Sequence, residues 1–140
     1  MPFFRQRLPF VIVQLANYQQ RSNKPMESGV AQVREAQRRV TLRLKNTGLA
    51  TAIDLGESND IHPLNKKDLA HRCVLQMNRL AFNKTDQVAE GPMVEKAELK
   101  GNGQEEPTSI RYAWENNPPS SIYNTDGLPA SSFQIPISKN

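Results

Sequence analysis

Two short apolar segments, each followed by a helical repeat, constrain this chain more than any other feature. Phe10-Val-Ile-Val-Gln-Leu15 is β-branched and apolar without alternation. It reads as a strand over about Pro9–Leu15, of the kind buried on both faces. A polar loop from Asn17 to Glu27, broken by Pro25, separates it from a helix. Ser28 is placed as the N-cap. From there Val30, Val33, Ala36, Val40 and Leu44 keep a helical period, and Arg34, Arg38, Arg39 and Arg43 fall largely elsewhere. The spacing therefore predicts a buried valine stripe and a solvated arginine face. Asn46-Thr-Gly48 stops the helix, with Gly48 as the turn residue. Leu49-Ala-Thr-Ala-Ile-Asp54 is a second buried strand. After a loop from Gly56 to Leu64, Asn65 caps a second helix with Asp68 at the reciprocal position, and Leu69, Cys73, Met77 and Leu80 form its inward stripe, fading near Asn83.

Strand, helix, strand, loop, helix implies an α/β fold whose parallel strands are joined by a right-handed crossover. Ligands of such sheets bind beyond the carboxyl ends of the strands. The loop Gly56-Glu-Ser-Asn-Asp-Ile-His-Pro63 is therefore where chemistry is sought. From Val88 onward the pattern changes. Gly91, Pro92, Gly101, Gly103 and Pro107 separate two short strand candidates, Met93–Leu99 and Ile110–Trp114, and the chain after Asn116 reads as mostly irregular. The division is residues 1–88, an α/β part, and 89–140, a shortened β-rich and irregular segment.

Composition narrows the function classes. The chain has 140 residues, one domain's worth or less. No run of about 18 apolar residues is present, which excludes a transmembrane helix. A single cysteine, Cys73, excludes an internal disulfide and a cysteine-based zinc site, and is read as a small buried hydrophobe. Arg5 and Arg7 before Leu8–Ala16 have the order of a signal peptide. The apolar stretch is short and holds Pro9 and Gln14, so the strand reading is preferred and the compartment is left open. The net charge is +4, with nine Lys/Arg against two Asp/Glu in residues 1–45. The charges are dispersed and no aromatic is interleaved among those of the 30s and 40s, which favours a helix face over nucleic-acid binding.

In the loop, His62 lies two residues after Asp60, with Asp54 and Glu57 nearby. An imidazole there can act as general base, and a carboxylate can fix its tautomer. By spacing alone the pair reads rather as a loop histidine that caps or hydrogen-bonds locally. His71 reads as a helix-surface residue. Ser22, Ser28 and Ser58 are the serines of the α/β part, and none sits in a Gly-x-Ser-x-Gly elbow. There is no metal-ligand set and no Gly-rich phosphate loop.

Asn46 to Asp68, with its Asp60-Ile-His-Pro63 block, resembles the C-terminal catalytic block of the sialate O-acetylesterase family, a branch of the SGNH-type carbohydrate esterases on a flavodoxin-like fold. Phe10–Leu15 resembles the family's preceding core strand, and Arg34-Glu-Ala-Gln-Arg38 the helix between. Ile110-Arg-Tyr-Ala-Trp114, Asn117-Pro118, Ile122-Tyr-Asn124, Gly127-Leu-Pro-Ala130 and Phe133 resemble its tail. The resemblance implies a partial flavodoxin-like sheet, an acetylated sugar or sialic acid as substrate, and no metal or organic cofactor. It makes His62 the catalytic histidine. Many relatives of the wider superfamily carry the acid three residues before it, which here is Asn59, so the reading is either Asp60 as the acid or a Ser–His dyad without one. It also implies parts that are not here: the Gly-x-Ser nucleophile block and the blocks supplying oxyanion donors. The expectation is the distal portion of an esterase, inactive alone, whose N-terminal half lies upstream of Met1 or on a partner chain. No nucleic-acid or membrane partner is expected, although family members are commonly secreted or periplasmic. A rival reading is a non-catalytic carbohydrate-binding module with Tyr112, Trp114 and Tyr123 as a sugar platform.

Overall fold

A computed structural model describes residues 8–100 and 107–138. Arg5 and Arg7 of the signal-peptide reading, and the break at Gly101 and Gly103, lie outside the described residues. Strand β1 (Phe10–Val13) leads through helix α1 (Gly29–Arg43) to strand β2 (Thr47–Ala50), then helix α2 (Lys66–Phe82) and three later strands, β3 (Ala97–Glu98), β4 (Ser109–Tyr112) and β5 (Phe133–Ser138). β1 and β2 pair in parallel, Phe10 opposite Thr47 and Val13 opposite Ala50. The later strands form a mixed sheet in the order β3-β5-β4. The whole is an α/β fold with a small sheet and flanking helices.

Local chemistry accounts for the helix ends. Ser28 has extended backbone (φ −135°) and its Oγ accepts from the Ala31 N–H at 3.0 Å. Asn65 Oδ1 accepts from the Asp68 N–H at 3.2 Å, and Asn65 Nδ2 donates back to the Asp68 carboxylate at 2.7 Å. Asn83 closes α2 in the left-handed region, at φ 50°. After α1 the left-handed residue is Asn46, at φ 62°. Gly48, expected as the turn, lies instead inside β2. A Cβ there would come within 2.3 Å of Gln76 Oε1, so close packing of α2 requires the glycine.

The expected burial of α1 is inverted. Arg34 is fully buried and Arg38 nearly so, whereas Val33, Val40 and Leu44 are exposed. The cause is a cluster of backbone carbonyls that need donors, presented to α1 by the segment after β1 and by the C-terminal tail. The Arg34 guanidinium donates to the carbonyls of Leu15 (3.0 Å), Ala16 (3.3 Å), Glu115 (3.1 Å) and Asn116 (2.6 Å), and to Ser132 Oγ (3.3 Å). Burial lowers its pKa to about 10, partly countered by the charge of Glu115, so it stays cationic at neutral pH. Arg38 pairs with buried Glu35 at 2.7 Å. These two arginines are neither a solvated face nor a nucleic-acid surface.

Three further expectations change. β1 is not buried on both faces: Phe10 and Val13 are exposed, because β2 is its sole neighbour among the described residues. The α2 stripe is shifted, with Arg72, Leu75 and Gln76 most buried and Leu69, Cys73, Met77 and Leu80 half-buried. Phe133–Ser138, read as irregular, is the central strand of the second sheet. Its Pro136 deters a strand assignment. By the alternation that sends the Ile137 N–H to Thr108 O, the proline nitrogen faces away from β4, where β3 has not yet begun to pair.

The apolar core is correspondingly small. Ala16, Ala52 and Leu55 pack with Leu69, and Leu75 packs with Ala89 and Leu128. Gln14 and Gln76 are as buried as any of these. Gln76 Nε2 bridges the carbonyls of Leu49 (2.9 Å) and Ala89 (2.7 Å).

Candidate active site

The segments leaving the carboxyl ends of β1 and β2 meet at Asn17 and Gly56. Asn17 Oδ1 accepts from the Gly56 N–H at 2.6 Å, and Asn17 Nδ2 donates to Gly56 O (3.3 Å) and Asn117 Oδ1 (2.7 Å). Asn117 Nδ2 in turn donates to Gln19 O at 2.7 Å, and the Gln19 N–H donates to Ser58 O at 3.1 Å. A Cβ at Gly56 would stand 2.0 Å from Asn17 O, so only glycine permits this approach. The β2 strand end is held separately. Arg72 Nη1 and Nη2 donate to the two Asp54 oxygens at 2.6 and 2.9 Å, Arg72 Nη1 also donates to Thr51 O at 2.7 Å, and the Tyr123 hydroxyl reaches Asp54 at 3.3 Å.

These clamps frame an open cleft of about 660 Å³, lined by Asn17, Gln20, Arg21, Gly56 to Asn59, and Asn117. It lies beyond the carboxyl ends of the parallel strands, where the α/β topology places ligands. Its lining is polar: amides, a guanidinium, the Glu57 carboxylate and the Ser58 hydroxyl.

His62 stands farther along the same loop, with its side chain 83% exposed. The loop bends back so that Asp60 Oδ1 accepts from the His62 N–H at 2.8 Å and lies 3.1 Å from His62 Nδ1. The carboxyl of Asp60 is held below the ordinary carboxylate range, chiefly by the backbone hydrogen bond from His62 and also by its ring. With Nδ1 turned to Asp60, Nε2 is left as the free lone pair, the arrangement a general base needs.

The serines do not complete that base. Ser28 is the buried cap of α1, Ser22 Oγ donates to Lys24 O, and Ser58 lies on the cleft wall; none bonds to His62. No nucleophile–histidine pair exists among the described residues. Asp54 is committed to Arg72, and His71 is exposed on α2. Cys73 is half-buried and its thiol is pushed up by burial, which disfavours a reactive thiolate. The three late aromatics do not share a platform. Tyr112 stacks on Phe133 at 5.4 Å, Trp114 is covered by Arg111 at 4.9 Å, and Tyr123 turns to Asp54.

Sequence reasoning missed Asn17 and the Arg72–Asp54 clamp. An asparagine just past a strand and an arginine on a helix are too common to signal a role until the tertiary fold brings their partners close. Asn117 carried one signal, its place in the Asn117-Pro118 pair of the tail.

No protein-family model matches the chain, and no curated protein does. Among solved structures the chain is similar to a carbohydrate acetylesterase from Xanthomonas citri, with a TM-score of 0.78 and 29% identity, over 91% of this chain and 40% of that one. The chain therefore spans less than half the length of that relative. The likeness links this α/β fold to the carbohydrate esterases.

Proposed function

We propose that this chain is the histidine-bearing portion of a carbohydrate acetylesterase of the SGNH type, similar to the sialate O-acetylesterases, acting on acetylated sugars that include acetylated sialic acid. The observation that carries the reading is the Asp60–His62 pair, 3.1 Å apart on the loop that leaves the carboxyl end of β2, in a chain alike in fold and sequence to an acetylesterase. In the complete enzyme a serine from a Gly-x-Ser block attacks the acetyl carbonyl. His62 Nε2 takes the serine proton, passes it to the departing sugar oxygen, and then deprotonates the water that clears the acetyl-enzyme. Asp60 holds the imidazole by Nδ1 and stabilises its cation. The clamp of Asn17, Gly56 and Asn117 sets where the loop begins. Residues 1–88 supply Asp60, His62 and most of this frame, and 89–140 add Asn117 and fasten the tail through the Glu115 and Asn116 carbonyls bound by Arg34.

Because the serine and the oxyanion donors lie elsewhere, the isolated chain is expected to be inactive. Assayed with 4-nitrophenyl acetate, it should give no serine-inhibitor-sensitive hydrolysis. Inhibitor-sensitive turnover that His62→Ala abolishes would place the nucleophile within this chain and overturn the fragment reading. Co-expressed with the part of the Xanthomonas citri acetylesterase that has no counterpart here, the chain should release acetate from an acetylated sugar. That turnover should fall by about 10²-fold or more in His62→Ala and in Asp60→Asn. Equal turnover in either variant removes that residue from the mechanism.

A further inference from the structure

The loop between β1 and α1 is polar and keeps neither a helical nor a strand period, so its course depends on what tethers it. The C-terminal tail does so. The Tyr18 N–H donates to Asn116 O at 3.1 Å, and the Ser22 N–H to Glu115 Oε2 at 2.8 Å. Between the two segments a second hollow opens beside the cleft, an open cavity of about 510 Å³. The two adjoin along both segments: Arg21 and Asn117 line the cleft, Ser22 and Glu115 the second cavity.

The lining of this cavity combines one aromatic ring with unpartnered polar groups. Trp114 follows Ala113, whose φ of 50° is left-handed backbone that alanine rarely adopts. Ser132 Oγ donates to Ala113 O at 2.9 Å and holds that turn, which takes the chain out of β4 just before Trp114. Arg111 stacks over the indole at 4.9 Å, and its guanidinium is itself fixed by Glu27 (2.6 Å) and Gln134 (2.9 Å). Since Nε1 is buried, the ring offers the cavity carbon only, and Pro25 and Met26 extend the apolar part. The polar part includes Asn23, Lys24 and Glu115. The side chains of Asn23 and Lys24, and Glu115 Oε1, make no hydrogen bond or ion pair to a described residue.

Aromatic carbon beside a free amide, a free ammonium and a carboxylate oxygen matches a pyranose. Its C–H face packs on the ring, and its hydroxyls both donate and accept. A wholly apolar ligand would leave the polar groups unpaired, and a phosphate would meet the charge of Glu115. We propose that this cavity is a sugar subsite, which takes a pyranose adjoining the acetylated one in the cleft, so that the esterase acts on an oligosaccharide rather than on a free sugar. That this pyranose belongs to the substrate rests on the function proposed above; the fit to a sugar ring rests on the cavity's own lining.

Trp114 is the single tryptophan of the chain, so its fluorescence reports on this cavity. Lactose and cellobiose, titrated into the chain alone, are the probes. At least one should shift the emission saturably, with a Kd in the millimolar range. Asn23→Ala combined with Lys24→Ala should weaken that binding at least about 5-fold. Circular dichroism checks that the variant remains folded, and the titration of the unmutated chain stands by itself. No response to either sugar at about 100 mM, or equal binding by the folded double variant, overturns the subsite. In the co-expressed complex described above, the same double variant should lose at least about 5-fold of the preference, in kcat/KM, for monoacetylated cellobiose over monoacetylated glucose. An unchanged preference overturns the subsite, as does a fluorescence response that disappears in the complex because the added portion covers Trp114. A response to sugar in a complex that releases no acetate upholds the cavity as a sugar site and counts against the esterase reading. Acetate release without any response overturns the subsite alone.

Discussion

Two glycines show what a single side chain decides here. A Cβ at Gly48 would meet the amide of Gln76, and one at Gly56 would meet the backbone carbonyl of Asn17. An amide can shift, but a carbonyl fixed in the chain cannot. Gly48→Ala should therefore cost about 1–3 kcal/mol, because Gln76 must loosen its bonds to Leu49 and Ala89. Gly56→Ala should cost more, about 3 kcal/mol or above. Urea unfolding of both variants checks the order, and the reverse order would mean that Asn17 does not clamp the loop. The candidate base is set at this scale too. A residue two positions from a histidine reaches its ring only through a bend, and the bend is made by the His62 N–H binding Asp60. The residue types of that pair were legible in the sequence; their 3.1 Å approach depended on the loop conformation.

At the scale of elements, α1 carries the main departure from sequence expectation. Periodicity located the helix and Ser28 located its start, because both are local. Which face turned inward was not local, since the tail that selects it is some eighty residues away in sequence. Arg34→Met should destabilise the fold by about 3–5 kcal/mol, several carbonyls each losing a donor at about 1–3 kcal/mol with partial rehydration. Arg34→Lys should recover little of this, because one ammonium cannot span the same acceptors. Chemical denaturation measures both. Glu35 on the same helix gives a pH test. Burial alone would raise its pKa, but hydrogen bonds from Arg38 and Arg39, together with their charges, outweigh it and hold the carboxyl below its ordinary value. A depressed carboxyl stabilises the fold above its unfolded pKa and loses that contribution as pH falls through its folded value. Melting temperature should thus drop on acidification below about pH 4.5, and Glu35→Gln should flatten that drop. Parallel pH profiles for the two proteins would show that the Glu35–Arg38 pair adds nothing.

For the molecule as a whole, a small apolar core is supplemented by buried polar clasps. Arg34, Gln76 and Arg72 tie the tail and the β2 edge to the helices, and Asn17 ties the cleft loop to the tail. Such clasps are directional, so the isolated chain should unfold in one cooperative step despite its small apolar core. Coincident circular-dichroism and tryptophan-fluorescence transitions would show it, and separated transitions would reveal a tail that lets go first. By itself the sequence determined the order of strand, helix, strand and helix, both N-caps, and the loop holding Asp60 and His62, because periodicity, capping and strand-end chemistry act within a few residues of chain. Only the tertiary structure decided that α1 turns Arg34 and Arg38 inward and that Pro136 sits in a central strand. Each of these depends on which distant carbonyls and edges need a partner.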